Sequence, residues 1–150
     1  MISINLKAFL DMIAWSEGTT RVKGNKDGYN VLVGGGLFTD MTNHPHQLIH
    51  VSTHLDSTAA GRYQLLAKYY DFYRKLLGLQ NFGPASQDAI AIQQIKECKA
   101  LPDIEAGNFT NAVTKCAHIW ASLPGAGYQQ HENKLASLQD AYVKAGGKLA

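Results

Sequence analysis

The segment Ala-Trp-Ser-Glu-Gly-Thr-Thr, residues 14–20, sets a carboxylate at the end of an apolar helical face. Leu6, Phe9, Leu10, Ile13 and Ala14 recur at spacings of three and four. At about 100° per residue, Glu17 projects within about 20° of Leu6, on the same stripe. An ionised carboxylate there loses hydration, so its pKa should rise toward the range in which a side chain works as a general acid. The competing reading is an amphipathic helix that has simply ended, leaving Glu17 half exposed. Position alone does not separate the two.

Other residues that could do chemistry carry weaker signals. His44, His46, His50 and His54 invite a zinc site, since imidazole suits that ion. They follow no helical spacing and no acidic partner recurs among them. They read instead as histidines of a polar loop, in solvent or capping turns, and neither a metal nor any other cofactor is expected. Gly34, Gly35 and Gly36 could cradle a phosphate only in a strand–loop–helix context with a lysine, which does not follow here. A hairpin turn is the expectation. Ser16, Ser57 and the histidines make no nucleophilic triad pattern, because there is no G-x-S-x-G elbow. Cys98 and Cys116 lack metal-ligand spacing and read as buried reduced thiols, able to pair only if their helices touch.

These side chains need a frame. The 150 residues are 45% hydrophobic and 17% charged, the balance of a globular chain with one core, so a single domain over 1–150 is expected. The formal net charge of +2, without a Lys/Arg stripe, points to no nucleic acid partner. No apolar run approaches the roughly 20 residues of a membrane span. The first residues lack the basic-then-apolar pattern of a signal peptide, so the chain is expected in the cytoplasm where it is made.

A first helix runs from Asn5, as N-cap, to about Glu17 or Gly18. Residues 29–33 read as a strand, the three glycines as a turn and residues 37–39 as a returning strand. Residues 40–58 have no clean period and read as a long loop. From about Ala59 onward the pattern is helical. One helix carries Leu65, Leu66, Tyr69, Tyr70, Tyr73, Leu76 and Leu77 and stops at Gly78. The next opens at Pro84 with a Ser86 cap and a stripe of Ala89, Ile92 and Ile95. A short helix follows around 101–106, then one burying Val113, Cys116, Ile119 and Trp120, and a last one from about 130 to Gly146. Most of the aromatic residues over 63–73 should be core. The architecture is α+β: a mainly helical lobe plus a small antiparallel hairpin, with a cleft between.

Five stretches carry a resemblance: residues 7–19 (KAFLDMIAWSEGT), 28–40 (GYNVLVGGGLFTD), 57–66 (STAAGRYQLL), 86–97 (SQDAIAIQQIKE) and 119–128 (IWASLPGAGY). Together and in this order, the chain resembles the lysozyme-like endolysins of the bacteriophage lambda type. The resemblance implies a lytic transglycosylase acting on bacterial peptidoglycan, with Glu17 at the family's catalytic position. Ser57, Gly61 and Gln64 match its substrate-side S-x-x-x-G-x-x-Q signature, and Tyr128 matches a residue lining the other wall of the cleft. Tyr29, Asn30 and Gly35 lie in the matched hairpin and Tyr63 in the signature turn. These four join the expected substrate contacts, with Tyr63 as the sugar-stacking exception among the aromatics.

The implied chemistry suits one carboxyl group. A hydrolase needs a second carboxylate as nucleophile or base. A transglycosylase lets the muramic acid's own C6 hydroxyl attack C1, so Glu17 first gives and then takes a proton, and a 1,6-anhydro sugar results. Asn30 stands where the family carries Asp, and an amide serves neither role. Asp27, Asp40 and Asp56 remain as candidate bases. The expected partner is the peptidoglycan glycan strand, met by a monomer released from the host cytoplasm to the periplasm and cell wall after a holin opens the membrane. Two alternatives stay open: a hydrolytic muramidase on the same fold, and an inactive peptidoglycan-binding module, against which Glu17, Gly61 and Gln64 argue.

Overall fold

The structure is a computed structural model describing residues 2–128 and 130–150. In chain order its elements are α1 (Ile4–Glu17), β1 (Ile49–Ser52), β2 (Leu55–Ser57), α2 (Ala67–Leu77), α3 (Pro84–Glu97), α4 (Leu101–Ala106), α5 (Phe109–Cys116) and α6 (Leu135–Lys144). Single 3-10 turns occur at Thr19–Arg21 and Val33–Gly35. Two compact units are formed, one by the N-terminal residues through Glu17 together with Ile92–Ala150, the other by Gly18–Ala91.

In the first unit α1 is the central helix. Leu6, Ala8, Phe9, Leu10, Met12, Ile13, Ala14 and Ser16 are all buried, so apolar side chains surround more than one stripe. Helices α4 and α6 pack on it. Phe9 meets Phe109 edge-on at 6.1 Å, and Phe109 in turn meets Tyr142 at 4.8 Å. The N-terminal cap is Ser3, whose Oγ accepts the Leu6 N–H at 3.0 Å, rather than Asn5. Asn5 instead ties distant backbone together, donating to Ile104 O at 3.0 Å and accepting the Lys148 N–H at 2.9 Å. Helix α4 stops at Gly107 (φ +79), where a Cβ would lie 2.6 Å from the Ala150 nitrogen, so only glycine lets the C-terminus close on this turn. Helix α6 starts at Leu135, later than the pattern predicts.

The second unit departs most from expectation. Residues 29–39 form no strands: one bridge, Val31 to Leu37, is all that pairs them, and Leu32 bridges to Ala60. Gly34 (φ +85) and Gly35 (φ +98) are both left-handed and reverse the chain tightly, with the Leu32 N–H donating to Gly36 O at 2.7 Å, and the ladder ends after one pair. The two-stranded antiparallel sheet lies instead in the supposed loop, pairing Ile49 with Ser57 and His50 with Asp56. Both strands are largely exposed, so no buried face writes an alternation into the sequence. Helix α2 begins at Ala67, not near Ala59, because Gly61 (φ +85) and Gln64 (φ +54) turn residues 60–65 back on themselves. Thr58 Oγ1 accepts the Ala67 N–H at 3.0 Å at its start.

The core of this unit is Leu32, Ala60, Leu65, Tyr70, Tyr73, Phe82 and Ile90. Tyr69 (45% exposed), Phe72 (58%) and Leu76 (54%) face outward, so the aromatic run is only partly core. In α3 the buried set is Ser86, Gln87, Ile90, Ala91, Gln94 and Ile95, with Ala89 and Ile92 at its margin. Two buried glutamines break the apolar pattern and shift the apparent stripe. Ser86 lies inside the first turn, donating to Asn81 Oδ1 at 3.0 Å, and is not the cap.

Candidate active site

Glu17 is the last residue of α1, and the chain turns away through Gly18 (φ +80). Its carboxyl is half-buried and accepts a short hydrogen bond from the Ser122 hydroxyl at Oε2. Burial raises its pKa from 4.5 to about 7, against the lowering effect of the Ser122 donor. Ser122 Oγ lies 2.7 Å from Ser16 Oγ. The Asn133 amide donates to Ser16 O at 2.9 Å and to Ser16 Oγ at 3.0 Å, while the Asn133 N–H donates to Ser122 O at 2.7 Å. Glu17 is thus held between a helix end and a short loop. That loop is fastened by Glu132, which accepts from the Gly125 and Gly127 N–H groups at 3.0 and 3.1 Å; these donors keep its carboxyl below the usual range. Tyr128, half exposed, anchors the same loop by donating to His118 O at 2.7 Å.

The remaining predicted site residues fall in the Gly18–Ala91 unit, where most hold the backbone in shape. Gln64 donates to Gly61 O at 2.9 Å and Val31 O at 3.2 Å. Gly61 is required: a Cβ there would lie 2.4 Å from Gln87 Oε1, and Oε1 is already taken by the Arg62 N–H at 2.8 Å. Ser57 Oγ accepts the Ala59 N–H at 3.1 Å. Asn30 is buried, its Oδ1 accepting the Lys26 N–H at 2.7 Å and its Nδ2 donating to Gly24 O at 3.4 Å. Gly35 donates its N–H to Leu32 O at 3.0 Å, within the 3-10 turn, and has open space where a side chain would go.

Tyr63 corrects an expectation. At 5% exposure its ring is no open stacking platform. Its hydroxyl donates to Asp88 Oδ1 at 2.7 Å, Tyr29 donates to the same carboxylate at 2.9 Å, and the Arg62 guanidinium lies 5.4 Å from both ring centres. Burial and the Asp88 charge push the Tyr29 phenol up to about 12 and the Tyr63 phenol up as well, so both remain neutral donors.

The histidines play separate parts. His44 is buried, with Nε2 2.7 Å from Leu65 O and Nδ1 accepting the His46 N–H at 2.9 Å. A carbonyl on one nitrogen and an N–H on the other fix the neutral tautomer, and burial lowers its pKa to match. His46 faces Asp71 at 2.9 Å and His50 faces Asp56 at 2.8 Å, across the β1–β2 pair. Among the described residues no three His, Cys, Asp or Glu side chains converge as metal ligands do. Of the candidate bases, Asp40 accepts both Thr42 donors, at 2.9 and 2.6 Å, and lies below the usual carboxylate range for that reason. Cys98 and Cys116 are free thiols in hydrogen-bond contact, Cys116 buried and Cys98 partly open, so only one fits the expectation of burial.

Ser122 and Asn133 carry no signal by type or spacing, and Ser16 enters the sequence reading only as a rejected nucleophile. The available signal was weak: Ser16 and Ser122 both lie inside matched stretches, and Ser16 adjoins Glu17.

The comparisons with known proteins bear directly on this arrangement. The Endolysin family model matches residues 7–149. The endolysin of Escherichia phage lambda is 56% identical over 153 residues, covering 99% of this chain and 97% of its own. That of Escherichia phage P2 is 46% identical, with 95% and 93% covered. Among solved structures, bacteriophage lambda lysozyme complexed with a chitohexasaccharide has a TM-score of 0.97 at 54% identity, covering 100% of this chain and 99% of that one. A second, lysozyme from bacteriophage lambda, has a TM-score of 0.91 at 51% identity over 100% and 99%. The chain therefore belongs to the endolysin family, as a lambda-type member with the lysozyme-like α+β fold.

Proposed function

We propose that this endolysin is a peptidoglycan lytic transglycosylase in which Glu17 alone carries the proton transfers. The observation that carries the reading is the Glu17 carboxyl itself: half-buried, held by Ser122, and with a pKa of about 7. Near neutrality both of its protonation states are accessible, as one group acting in turn as acid and base requires. Protonated, it delivers its proton to the oxygen between N-acetylmuramic acid and N-acetylglucosamine as the C1–O bond breaks. Ionised, it then takes the proton from the C6 hydroxyl while that oxygen bonds to C1. The proton balance closes on Glu17 and the muramic end leaves as the 1,6-anhydro sugar. Intramolecular attack supplies a high effective concentration of the nucleophile.

Asn30 supports the choice of nucleophile. Hydrolysis calls for a second carboxylate. The residue at the position that invites one is an amide, turned into the backbone of Gly24 and Lys26. A glycan strand as substrate accords with the lambda lysozyme neighbour, which was solved with a chitohexasaccharide. Tyr29, Asn30, Gly35, Ser57, Gly61, Tyr63, Gln64 and Tyr128 form or shape its binding surface in this reading. The enzyme works as a monomer, reaching the wall from the host cytoplasm once a holin has opened the membrane.

Digestion of purified peptidoglycan in heavy-oxygen water tests the mechanism. Transglycosylation leaves unlabelled muramic ends, about 20 Da lighter than ends hydrolysed in that water. One heavy oxygen per cut would establish a muramidase instead, and no cleavage would leave a binding module.

A further inference from the structure

The hydrogen bonds behind Glu17 have a direction. Ser16 O is a carbonyl and only accepts, so the Asn133 amide atom 2.9 Å away is Nδ2. The same Nδ2 lies 3.0 Å from Ser16 Oγ and donates there too. Asn133 Oδ1 points the other way, 3.2 Å from His131 Nε2, which must donate because an amide oxygen cannot. With Asn133 donating to Ser16, the arrangement that leaves every hydroxyl hydrogen paired runs from Ser16 to Ser122 and from Ser122 to Glu17 Oε2. Reversal of the Ser16–Ser122 bond would strip Glu17 of its donor and strand the Ser16 hydrogen.

We propose that Asn133 is a positioning residue of the endolysin reaction: through Ser16 it orients the Ser122 hydroxyl as a standing donor to the Glu17 carboxyl. The inference rests on the reading of Glu17 as the acid–base group. Its chemical sense follows from the two states of that group. A donor fixed on Oε2 favours the carboxylate, offsetting part of the penalty that burial puts on the charge. It also leaves the free proton on the other oxygen, Oε1, so delivery and recovery occur at one atom. No element of the relay can accept the Glu17 proton and carry it off. Asn133 has no titratable proton, and Ser16 and Ser122 already use theirs. The relay therefore orients and holds but does not conduct. Asn133 also binds Ser122 by its backbone N–H at 2.7 Å, so one residue sets both the place and the direction of that hydroxyl.

The relay is tested on the whole chain by following the Glu17 side-chain carboxyl with carbon-13 NMR as pH is varied, in the natural protein and in Ser122→Ala, Ser16→Ala and Asn133→Ala. Loss of the direct donor in Ser122→Ala should raise the Glu17 midpoint by about one pH unit. Ser16→Ala keeps the Asn133 bonds to Ser16 O and Ser122 O, so the loop stays fastened. It should nevertheless raise the midpoint by several tenths of a unit, as should Asn133→Ala, and the alkaline limb of the lytic rate should move up by the same amount. A midpoint unchanged in Ser16→Ala while Ser122→Ala moves it would overturn the relay. Should a variant not fold, the natural protein decides: slowly exchanging hydroxyl protons on both Ser16 and Ser122 are expected, and fast exchange on Ser16 refutes the proposal. The catalytic reading fails separately, by lysis surviving in Glu17→Gln, and that result leaves the titration standing.

Discussion

Replacing Glu17 with Gln removes one charge from a half-buried site and changes little else, which makes the energetic cost of that charge measurable. The carboxyl titrates at about 7 in the folded chain against an ordinary 4.5. At about 1.4 kcal/mol per pH unit the difference is worth about 3 kcal/mol. Its sign follows from proton binding. Because the folded pKa is the higher one, the folded state binds the proton more tightly, and ionisation opposes folding. The stabilisation from the protonated acid is complete below pH 4.5, declines as pH rises from 4.5 to about 7, and is gone above that. Gln has no such dependence and still offers an oxygen to the Ser122 hydroxyl. Glu17→Gln should therefore match the natural protein near pH 4 and exceed it at pH 8 by about 3 kcal/mol, or roughly 6–12 °C in melting temperature for a chain of this length. Urea unfolding at pH 4, 6 and 8 reads the difference directly, and a turbidity assay on permeabilised Gram-negative cells should show lysis reduced by orders of magnitude. A stability difference independent of pH would refute the burial argument. Retention of a tenth of the activity would remove Glu17 from the mechanism.

Gly61→Ala forces a Cβ to within 2.4 Å of Gln87 Oε1 and 2.9 Å of the Phe82 ring at a left-handed φ. It should lose about 3 kcal/mol by urea unfolding, whereas Gly34→Ala, with open space around it, should lose only about 1 kcal/mol for its backbone strain. The buried Tyr70 hydroxyl has no hydrogen-bond partner among the described residues, so Tyr70→Phe should be neutral or stabilise by up to about 1 kcal/mol; a clear loss would mean that this hydroxyl is satisfied. Diamide should oxidise Cys98 and Cys116 to a disulfide, lowering the mass by about 2 Da as the reagent takes up both hydrogens, and Cys98→Ser should abolish the change. The Cys116 hydrogen bond holds the Cys98 thiol below its usual pKa, which favours Cys98 as the attacking sulfur.

How far the fold can be read from sequence depends on what each segment buries. Helix α1 is legible because its apolar run is long, and α4 because proline opens it and glycine closes it. The β1–β2 pair is not, since its residues are mostly exposed and carry no alternation. The 29–39 segment fails in the opposite way. Its β-branched residues and triple glycine suggest a hairpin, and the glycines do reverse the chain, but only Val31 and Leu37 pair across the turn, so no strands extend from it. The 59–66 stretch shows the same limit. Leucines at helical spacing suggest helix, while the positive φ of Gly61 and Gln64 is imposed by contacts with Gln87 and with Val31, which are far away in sequence.

The candidate site divides along the same line. Glu17 is visible because a charge on an apolar stripe contradicts its local pattern, and such contradictions collect where function overrides folding. Ser16, Ser122 and Asn133 contradict nothing: each is an ordinary polar residue where polar residues belong. Their meaning comes only from meeting, across 106 positions for the two serines and 117 for Ser16 and Asn133. The signature residues Gly61 and Gln64 invert the case, because their spacing is conspicuous while their side-chain and backbone roles are to hold one turn. The resemblance therefore marks positions, and the structure shows what their side chains and backbone hold. A residue expected to touch sugar can instead have its side chain engaged by backbone, as the Asn30 and Gln64 amides are. The acid itself is tuned by residues that sequence type alone leaves unmarked.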